Sequence, residues 1–477
     1  MCGIIFIYGP KSLERVQYSL PKLIHRGPDD QQIIIGENMA LGFTRLAING
    51  VGKVGSQPMK FQEMLGAFNG EIYNYQRLSE KYNLPLSSSD TEIILPLFKK
   101  INKEILEVLD GFFSGVIIDR NTSQVWTIRD HIGKKPLFIG RSRDNIFITS
   151  EIKAIDNIDD FSLLPLGLSS IDLESGVVNV ISRHQSIQIE QSLIGIFENA
   201  VIKRLPPIDQ PVGVFLSGGL DSSIVAAIVA KYRPDATYFT LGNDVDFDFT
   251  QEVIEALGLK DIRRISLPKE SEMPLLIREV VKSTESFNPS IISNGLATYV
   301  LSKAVNDAGI KVVLGGEGAD ELFGGYHKFA SADSNWNEIR NQLINDMQMT
   351  ELRRLDLASM AHSVEVRCPF LDIKVRNFAE SLDFEDLYEG DVNKVILRKS
   401  FEDFLPNSII QRQKTSLDVG SGVRKRVVNY LSSNGQTERQ GLKNIWNEIF
   451  EMNSEHFYFS HYPVFDEIIN KRGVVHK

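Results

Sequence analysis

Short runs of apolar, β-branched and aromatic residues, cut by Gly, Asn or Asp, dominate the first third of the chain. Gly3-Ile-Ile-Phe-Ile-Tyr-Gly9, Gln32-Ile-Ile-Ile-Gly36, Phe112–Ile118 and Gln124–Ile128 read as strands. Asp119-Arg-Asn-Thr-Ser123, between the last two, reads as a hairpin turn. Helical spacing interrupts them near Asn74–Tyr82 and Thr91–Lys100, with Asp90 placed to cap the second helix. Mixed strands with few helices predict a layered α+β domain.

After about Gln185 the rhythm changes to alternation. A helix is expected over Ile187–Arg204, closed by Pro206-Pro207, then strand Val212–Leu216, helix Asp221–Lys231 and strand Thr237–Leu241. Helix Phe249–Leu257, strand Asp261–Ser266, helix Met273–Lys282, helix Gly295–Ala308 and strand Lys311–Leu314 continue it. Strands spaced by helices imply a parallel sheet with crossover connections. The final third reads as mostly helical. The change of rhythm divides the chain into domains 1–185 and 186–477.

At 477 residues the chain is long enough for two or three domains. Its formal net charge of -10 argues against nucleic acid as a partner while leaving room for a local basic pocket. No apolar run reaches a membrane-spanning length of roughly 18 residues, and no secretory signal is recognisable, so a cytoplasmic protein is expected. The two cysteines, Cys2 and Cys368, are too few for a disulfide framework or a cysteine metal site. Cys368, within Val-Arg-Cys-Pro-Phe, reads as a buried small hydrophobe. Cys2 is different. A small second side chain allows the initiator methionine to be trimmed, leaving a thiol and a free α-amine on one residue. An α-amine with a pKa near ~7.7–8.0 can serve as the thiol's own base.

Two glycine-rich clusters carry the chemistry of the second half. Leu216-Ser217-Gly218-Gly219-Leu220-Asp221-Ser222-Ser223 follows a strand and opens a helix. Backbone amides there, with the hydroxyls of Ser217, Ser222 and Ser223, suit phosphate oxygens. No Gly-Lys-Ser/Thr follows, so this is not a Walker loop. Asp221 beside a phosphate suits Mg²⁺. Gly315-Gly316-Glu317-Gly318-Ala319-Asp320-Glu321 follows the strand ending at Leu314, with Asp320 placed to share the metal and Glu317 to face an acyl group. Charge spacing alone leaves Lys394 and the Gln411-Arg412-Gln413-Lys414 run as solvated surface.

Taken together, Cys2-Gly-Ile and Ser217-Gly-Gly-Leu-Asp-Ser-Ser223 make the chain resemble the glutamine-dependent asparagine synthetases over nearly its whole length. His25-Arg-Gly-Pro-Asp29, Thr44-Arg-Leu-Ala-Ile48, Phe68-Asn-Gly-Glu-Ile-Tyr-Asn74, Ser89-Asp-Thr-Glu92, Arg129–Leu137 and Ser150–Ala154 carry the likeness in the first half. Ser359–Arg367 and Cys368-Pro-Phe-Leu-Asp372 carry it in the second. The resemblance implies an N-terminal αββα sandwich of the Ntn-hydrolase type and a C-terminal parallel-sheet α/β ATP-pyrophosphatase domain. It further implies that Cys2 hydrolyses glutamine, with Asn69 and Gly70 as oxyanion donors. Arg45, Leu46, Ile48, Glu71 and Asp90 would join Asn69 and Gly70 in binding glutamine. For ATP it implies Leu216, Ser217, Gly218, Gly219, Asp221, Ser222, Leu241, Gly315 and Gly316, with Mg²⁺ on Asp221 and Asp320. Lys394 would serve the adenylation transition state and Glu317 the acyl end. The implied partners are aspartate, glutamine and ATP, with no nucleic acid and no membrane; a homodimer stays open. The match through Glu365–Asp372 is expected to favour aspartate. Leu163-Leu-Pro165-Leu-Gly167, Gly315, Ala319 and Leu357 depart from the family pattern.

Overall fold

The computed structural model describes residues 2–50, 52, 54–85, 88–185, 191–242, 246–326 and 336–461. They form two compact units, Met1–Ser186 with Met360–Ser363, and Ile187–Ser359 with Val364–Lys477.

The first unit is built on two six-stranded antiparallel sheets. One is ordered β10 (Asp160–Leu163), β8 (Phe138–Ser142), β9 (Asn145–Thr149), β1 (Cys2–Tyr8), β3 (Met39–Arg45), β2 (Asp30–Gly36). The other is ordered β12 (Val178–Ser182), β11 (Gly167–Ile171), β7 (Val125–Arg129), β6 (Gly111–Asp119), β5 (Met64–Ile72), β4 (Met59–Phe61). Ile4, Phe6, Leu41 and Phe43 of the first sheet share one core with Leu65, Ala67, Val116 and Ile118 of the second. The second sheet turns its other face, with Phe68, Phe113 and Ile117, onto the helical residues Leu78, Ile94, Leu97, Phe98 and Ile105. Val16, on the helix Ser12–Ser19, is fully buried against Gly42 on the first sheet's outer side. Helices thus cover both outer faces, which is the αββα layering expected.

The second unit carries a five-stranded all-parallel sheet ordered β15 (Asp261–Ile265), β14 (Thr237–Leu241), β13 (Val212–Phe215), β16 (Val312–Leu314), β17 (Glu365–Arg367). Connections run outward one way through β14 and β15 and the other way through β16 and β17. The switch point falls between β13 and β16, where a crevice opens beyond the strand ends.

The predicted hairpin is present. β6 and β7 pair antiparallel, and Asp119 Oδ1 accepts from Asn121 N at 2.8 Å and Thr122 N at 3.3 Å. Several expectations need correction. Strand β3 was not foreseen, because all seven of its residues are buried and show no alternation. Asp90 does not cap the second helix; it lies within a 3₁₀ turn, Asp90–Ile93, and its Oδ2 accepts from Ile72 N at 2.8 Å. The helix expected from Gly295 starts at Pro289, where Asn288 Oδ1 accepts from Ser290 N and Ile291 N. The predicted start at Ile187 lies outside the described residues; the helix observed is Leu193–Ile202, capped by Ser192. Cys368 is fully buried, as expected.

Candidate active sites

In the first unit the antiparallel register places Cys2 directly opposite Arg45. Cys2 lies at the end of β1, and its backbone N donates to Asn69 Oδ1 on β5 at 2.9 Å, a bond that crosses from one sheet to the other. This orients the Asn69 amide: its Nδ2 is buried and makes no hydrogen bond. A buried donor without a partner costs free energy of the order of ~1–3 kcal/mol, and it is free to receive an acceptor from a bound ligand. Gly70, the companion donor expected, has φ of +144°, and a Cβ there would stand 2.0 Å from the Phe112 carbonyl oxygen. Only glycine fits this bend.

The backbone of β1 is held from behind. Arg26 Nε donates to the Cys2 carbonyl at 2.9 Å, Thr44 Oγ1 accepts from Gly3 N at 3.1 Å, and Ser150 Oγ accepts from Ile4 N at 3.0 Å. Arg26 is fixed in turn by the fully buried Glu151, whose Oε1 is 2.6 Å from Arg26 Nη1. His25 Nε2 and Lys153 Nζ lie 2.9 and 2.7 Å from Glu151 Oε2. Burial alone would raise the Glu151 carboxyl, but His25, Lys153 and Arg26 overcome it and hold the carboxyl well below the ordinary carboxylate range. Such a depressed group stabilises the fold above its unfolded pKa of about 4.3, and that contribution fades as pH falls through the folded value. Glu151→Gln is therefore expected to cost about 3–5 kcal/mol at pH 7, by leaving Arg26 buried with a weaker partner. In urea unfolding curves the gap to the unmodified protein should narrow below about pH 4. A gap independent of pH would rule out the ion-pair origin.

Arg45 behaves differently from the open carboxylate clamp its motif implied. Its Nη2 donates to the carbonyls of Gly50 at 2.5 Å, Val54 at 2.6 Å and Asn49 at 3.3 Å, and Nη1 donates to Gly52 O at 2.6 Å. The fork organises the loop after β3, so binding a substrate carboxylate requires exchange of one of these carbonyls. Leu46 and Ile48 are buried beside it. Asn49 Nδ2 donates to Glu71 Oε1, which ties that loop to β5.

In the second unit a cavity of about 530 Å³ opens at the switch point. It is lined by Leu216, Ser217, Gly219, Asp221, Ser222, Leu241, Gly315, Gly316, Glu317, Asp320 and Lys394 among the described residues, which brings most of the sequence candidates together. Gly316 explains how the two glycine loops approach: a Cβ there would meet Asp221 Cβ and Ser222 N, each at 2.9 Å. Gly218 and Ser223 are not among the lining residues. Gly218 turns against Thr250, and Ser223 Oγ is fully buried behind the loop without a hydrogen bond. Ser222 Oγ donates to Gly219 O at 3.1 Å and meets Ser217 Oγ at 3.0 Å, which closes the turn.

The acids at the crevice converge on one nitrogen. Lys394 Nζ lies 2.6 Å from Asp221 Oδ2 and 2.5 Å from Asp320 Oδ1, and Lys414 Nζ pairs with Asp320 Oδ2. Burial would lower Lys394, but the two carboxylates lift it to about 12. Burial and Asp320 raise Asp221 despite Lys394, whereas Lys394 and Lys414 together outweigh burial and depress Asp320. Lys394 is the N-cap of the helix Val395–Ser400, with φ of +54°, and is buried, not solvated as charge spacing implied. The reading of Arg412 and Lys414 as solvated surface is overturned. Arg412 Nη1 donates to Ser217 O at 3.3 Å, and Lys414 Nζ stands 4.1 Å from the Tyr326 ring centroid.

Residues missed in the sequence fill the remaining wall. Glu317 pairs with Arg354, and the Tyr326 hydroxyl donates to Glu321 Oε1. Burial, with Glu351 and Asp320 nearby, pushes Glu321 up to about 8. Glu351 and Arg354 are three residues apart on the helix Glu351–Met360, a spacing that shares one face; that spacing was the available signal. Of Glu365–Asp372, which was expected to favour aspartate, only Val366 lines the cavity. Glu365 pairs with Arg367 at 2.7 Å, and Asp372 with Arg204 at 2.7 Å and with Lys203. The charged side chains of that block are thus engaged in ion pairs within the fold.

One unit thus sets a cysteine beside a spare amide donor, and the other opens a cavity lined by two glycine loops, carboxylates and lysines. Residues 1–186 match the glutamine amidotransferase domain family, and residues 193–345 and 337–448 match asparagine synthase. A probable glutamine-hydrolysing asparagine synthetase of Acanthamoeba polyphaga mimivirus is 31% identical, across 91% of this chain and 87% of its own. Asparagine synthetase B of Escherichia coli K12 is 31% identical across 88% and 83%, and asparagine synthetase 3 of Arabidopsis thaliana 31% across 88% and 79%. The chain belongs to the glutamine-hydrolysing asparagine synthetase family. No helix among the described residues is long and apolar enough to cross a membrane.

Proposed function

We propose that this chain makes asparagine from aspartate, ATP and glutamine, with the two half-reactions divided between Cys2 and the switch-point cavity. The observation that carries the first half is the bond from Cys2 N to Asn69 Oδ1, which leaves Asn69 Nδ2 as a buried, unused donor. Once Met1 is removed, the α-amine takes the thiol proton and the Cys2 sulfur attacks the glutamine side-chain carbonyl. Negative charge gathers on the carbonyl oxygen, where Asn69 Nδ2 and the Gly70 amide receive it at roughly 3–4 kcal/mol per donor. The C–N bond breaks, the amine returns the proton to the leaving ammonia, and water releases glutamate from the thioester. Arg45, on exchanging one of its loop carbonyls, and Asp90 would hold the α-carboxylate and α-amine of glutamine.

In the second half the aspartate side-chain carboxylate attacks the α-phosphorus of ATP and pyrophosphate leaves. Ammonia then attacks the acyl carbon, loses a proton, and AMP departs. Lys394, and beside it Lys414, offer positive charge where charge develops on the phosphates. Asp221 and Asp320 suit Mg²⁺: they already converge on one cationic nitrogen, and magnesium takes one or two carboxylates and completes its shell with phosphate and water. Bound there, the ion would neutralise phosphate charge.

Incubating the full chain with Mg·ATP, ammonia and a panel of carboxylates tests this. Aspartate is expected to yield AMP and asparagine, and no other acid on the panel more than about one-hundredth of that rate. A different preferred carboxylate would keep the two-site chemistry and replace the product.

A further inference from the structure

Arg353 neighbours Arg354 on the helix Glu351–Met360 but does not line the cavity; it is buried at 3% exposure. Its Nε donates to Thr284 O at 3.0 Å, and its terminal nitrogens donate to the carbonyls of Glu285 and Tyr458. The guanidinium carbon stands 3.6 Å from the centroid of the Tyr458 ring, and the Tyr458 hydroxyl donates to Glu285 Oε2 at 3.1 Å. Three residues further on, the His461 carbonyl accepts from Asn288 Nδ2 at 2.9 Å. Asn288 is the residue whose Oδ1 caps the helix Pro289–Asp307. His461 Nε2 also lies 2.5 Å from Asp346 Oδ1.

The segment His456–His461 is therefore bonded to the start of one cavity helix directly, and to a second through Arg353. The first helix gives the cavity Ser290, Asn294 and Thr298; the second gives it Glu351 and Arg354. Anchoring alone would need only apolar contact, which Phe459 supplies against Trp446 with ring centroids 4.8 Å apart. The polar contacts add orientation. A planar guanidinium shared among three carbonyls and stacked on a ring fixes how its helix is turned, and Arg354 is the next residue.

We propose that Arg353 and Tyr458 are positioning residues for the carboxylate-substrate end of the cavity. The segment His456–His461 sets the two helices so that Arg354 and Glu317 meet the substrate in register. This rests on the reading that the cavity joins aspartate to ATP. A displacement of about 1 Å in such a wall can cost about a hundredfold in rate, so the contacts have leverage well beyond their own strength.

The test is ammonia-dependent synthesis by the full chain, with aspartate and ATP varied separately. Tyr458→Ala is expected to raise KM for aspartate about tenfold or more while KM for ATP stays within about twofold and glutamine hydrolysis is unchanged. Arg353→Lys should show the same split, because an ammonium keeps the charge without the fork. Tyr458→Phe keeps ring and carbonyl and should stay near the unmodified protein. If Tyr458→Ala does not fold, Arg353→Lys carries the comparison. Parallel rises in both KM values, or a loss confined to the fraction of folded protein, would make the role merely structural and overturn the proposal. Failure of the unmodified chain to form AMP with aspartate would instead overturn the functional reading beneath it.

Discussion

Cys2→Ala is expected to reduce glutamine-dependent asparagine formation about a million-fold, while ammonia-dependent formation stays within about twofold of the unmodified rate. The size follows from what is removed. Without the sulfur the proposed covalent step is lost, and the α-amine, Asn69 Nδ2 and the Gly70 amide would have no nucleophile to serve. The asymmetry follows from the organisation of the chain. Cys2 and its supports belong to one compact unit and the cavity at β13 and β16 to the other. The fold should survive, since alanine keeps the Cys2 N and O atoms that bond Asn69 and Arg26. Loss of both activities together would dismiss the division into two sites.

Asp221→Ala should give the mirror image: cleavage of ATP to AMP and pyrophosphate falls at least a thousandfold, and glutaminase activity persists. Asp221 is the point where three roles meet. It lies in the first glycine loop, against Gly316 of the second, and it shares Lys394 with Asp320. Its loss removes one of the two carboxylates proposed to hold Mg²⁺ and releases Lys394 from half of its pairing. Chromatography of the nucleotide products reads the outcome. ADP in place of AMP from the unmodified enzyme would refute attack at the α-phosphorus, whatever the variant does.

The contrast between Arg45 and Lys414 shows how far residue patterns reach. Arg45 stands in a motif that implies a carboxylate clamp, yet its fork is filled by four backbone carbonyls. Lys414 stands in a charged run that implies surface, yet it pairs with Asp320 in the cavity. The loop that follows Arg45 decided the first by turning its carbonyls back onto the guanidinium, and Asp320, distant in sequence, decided the second. Glu351 and Arg354 were legible only as a three-residue spacing on a helix; which face turned to the cavity depended on what packed behind it.

By itself the sequence determined the class of chemistry and the frame that carries it. A cysteine behind a removable methionine, glycines at the ends of two parallel strands and acids beside them dictate which groups can react. Strand–helix alternation dictates that the second sheet is parallel. These are local properties of residue type and spacing. Tertiary structure alone decided which groups are engaged and which are spare: that Asn69 spends its Oδ1 on Cys2 and keeps Nδ2, that Lys394 bridges two acids, and that β3 is a strand at all. Each depends on partners brought from distant parts of the chain by burial, and a buried polar group takes its energy and its reactivity from those partners.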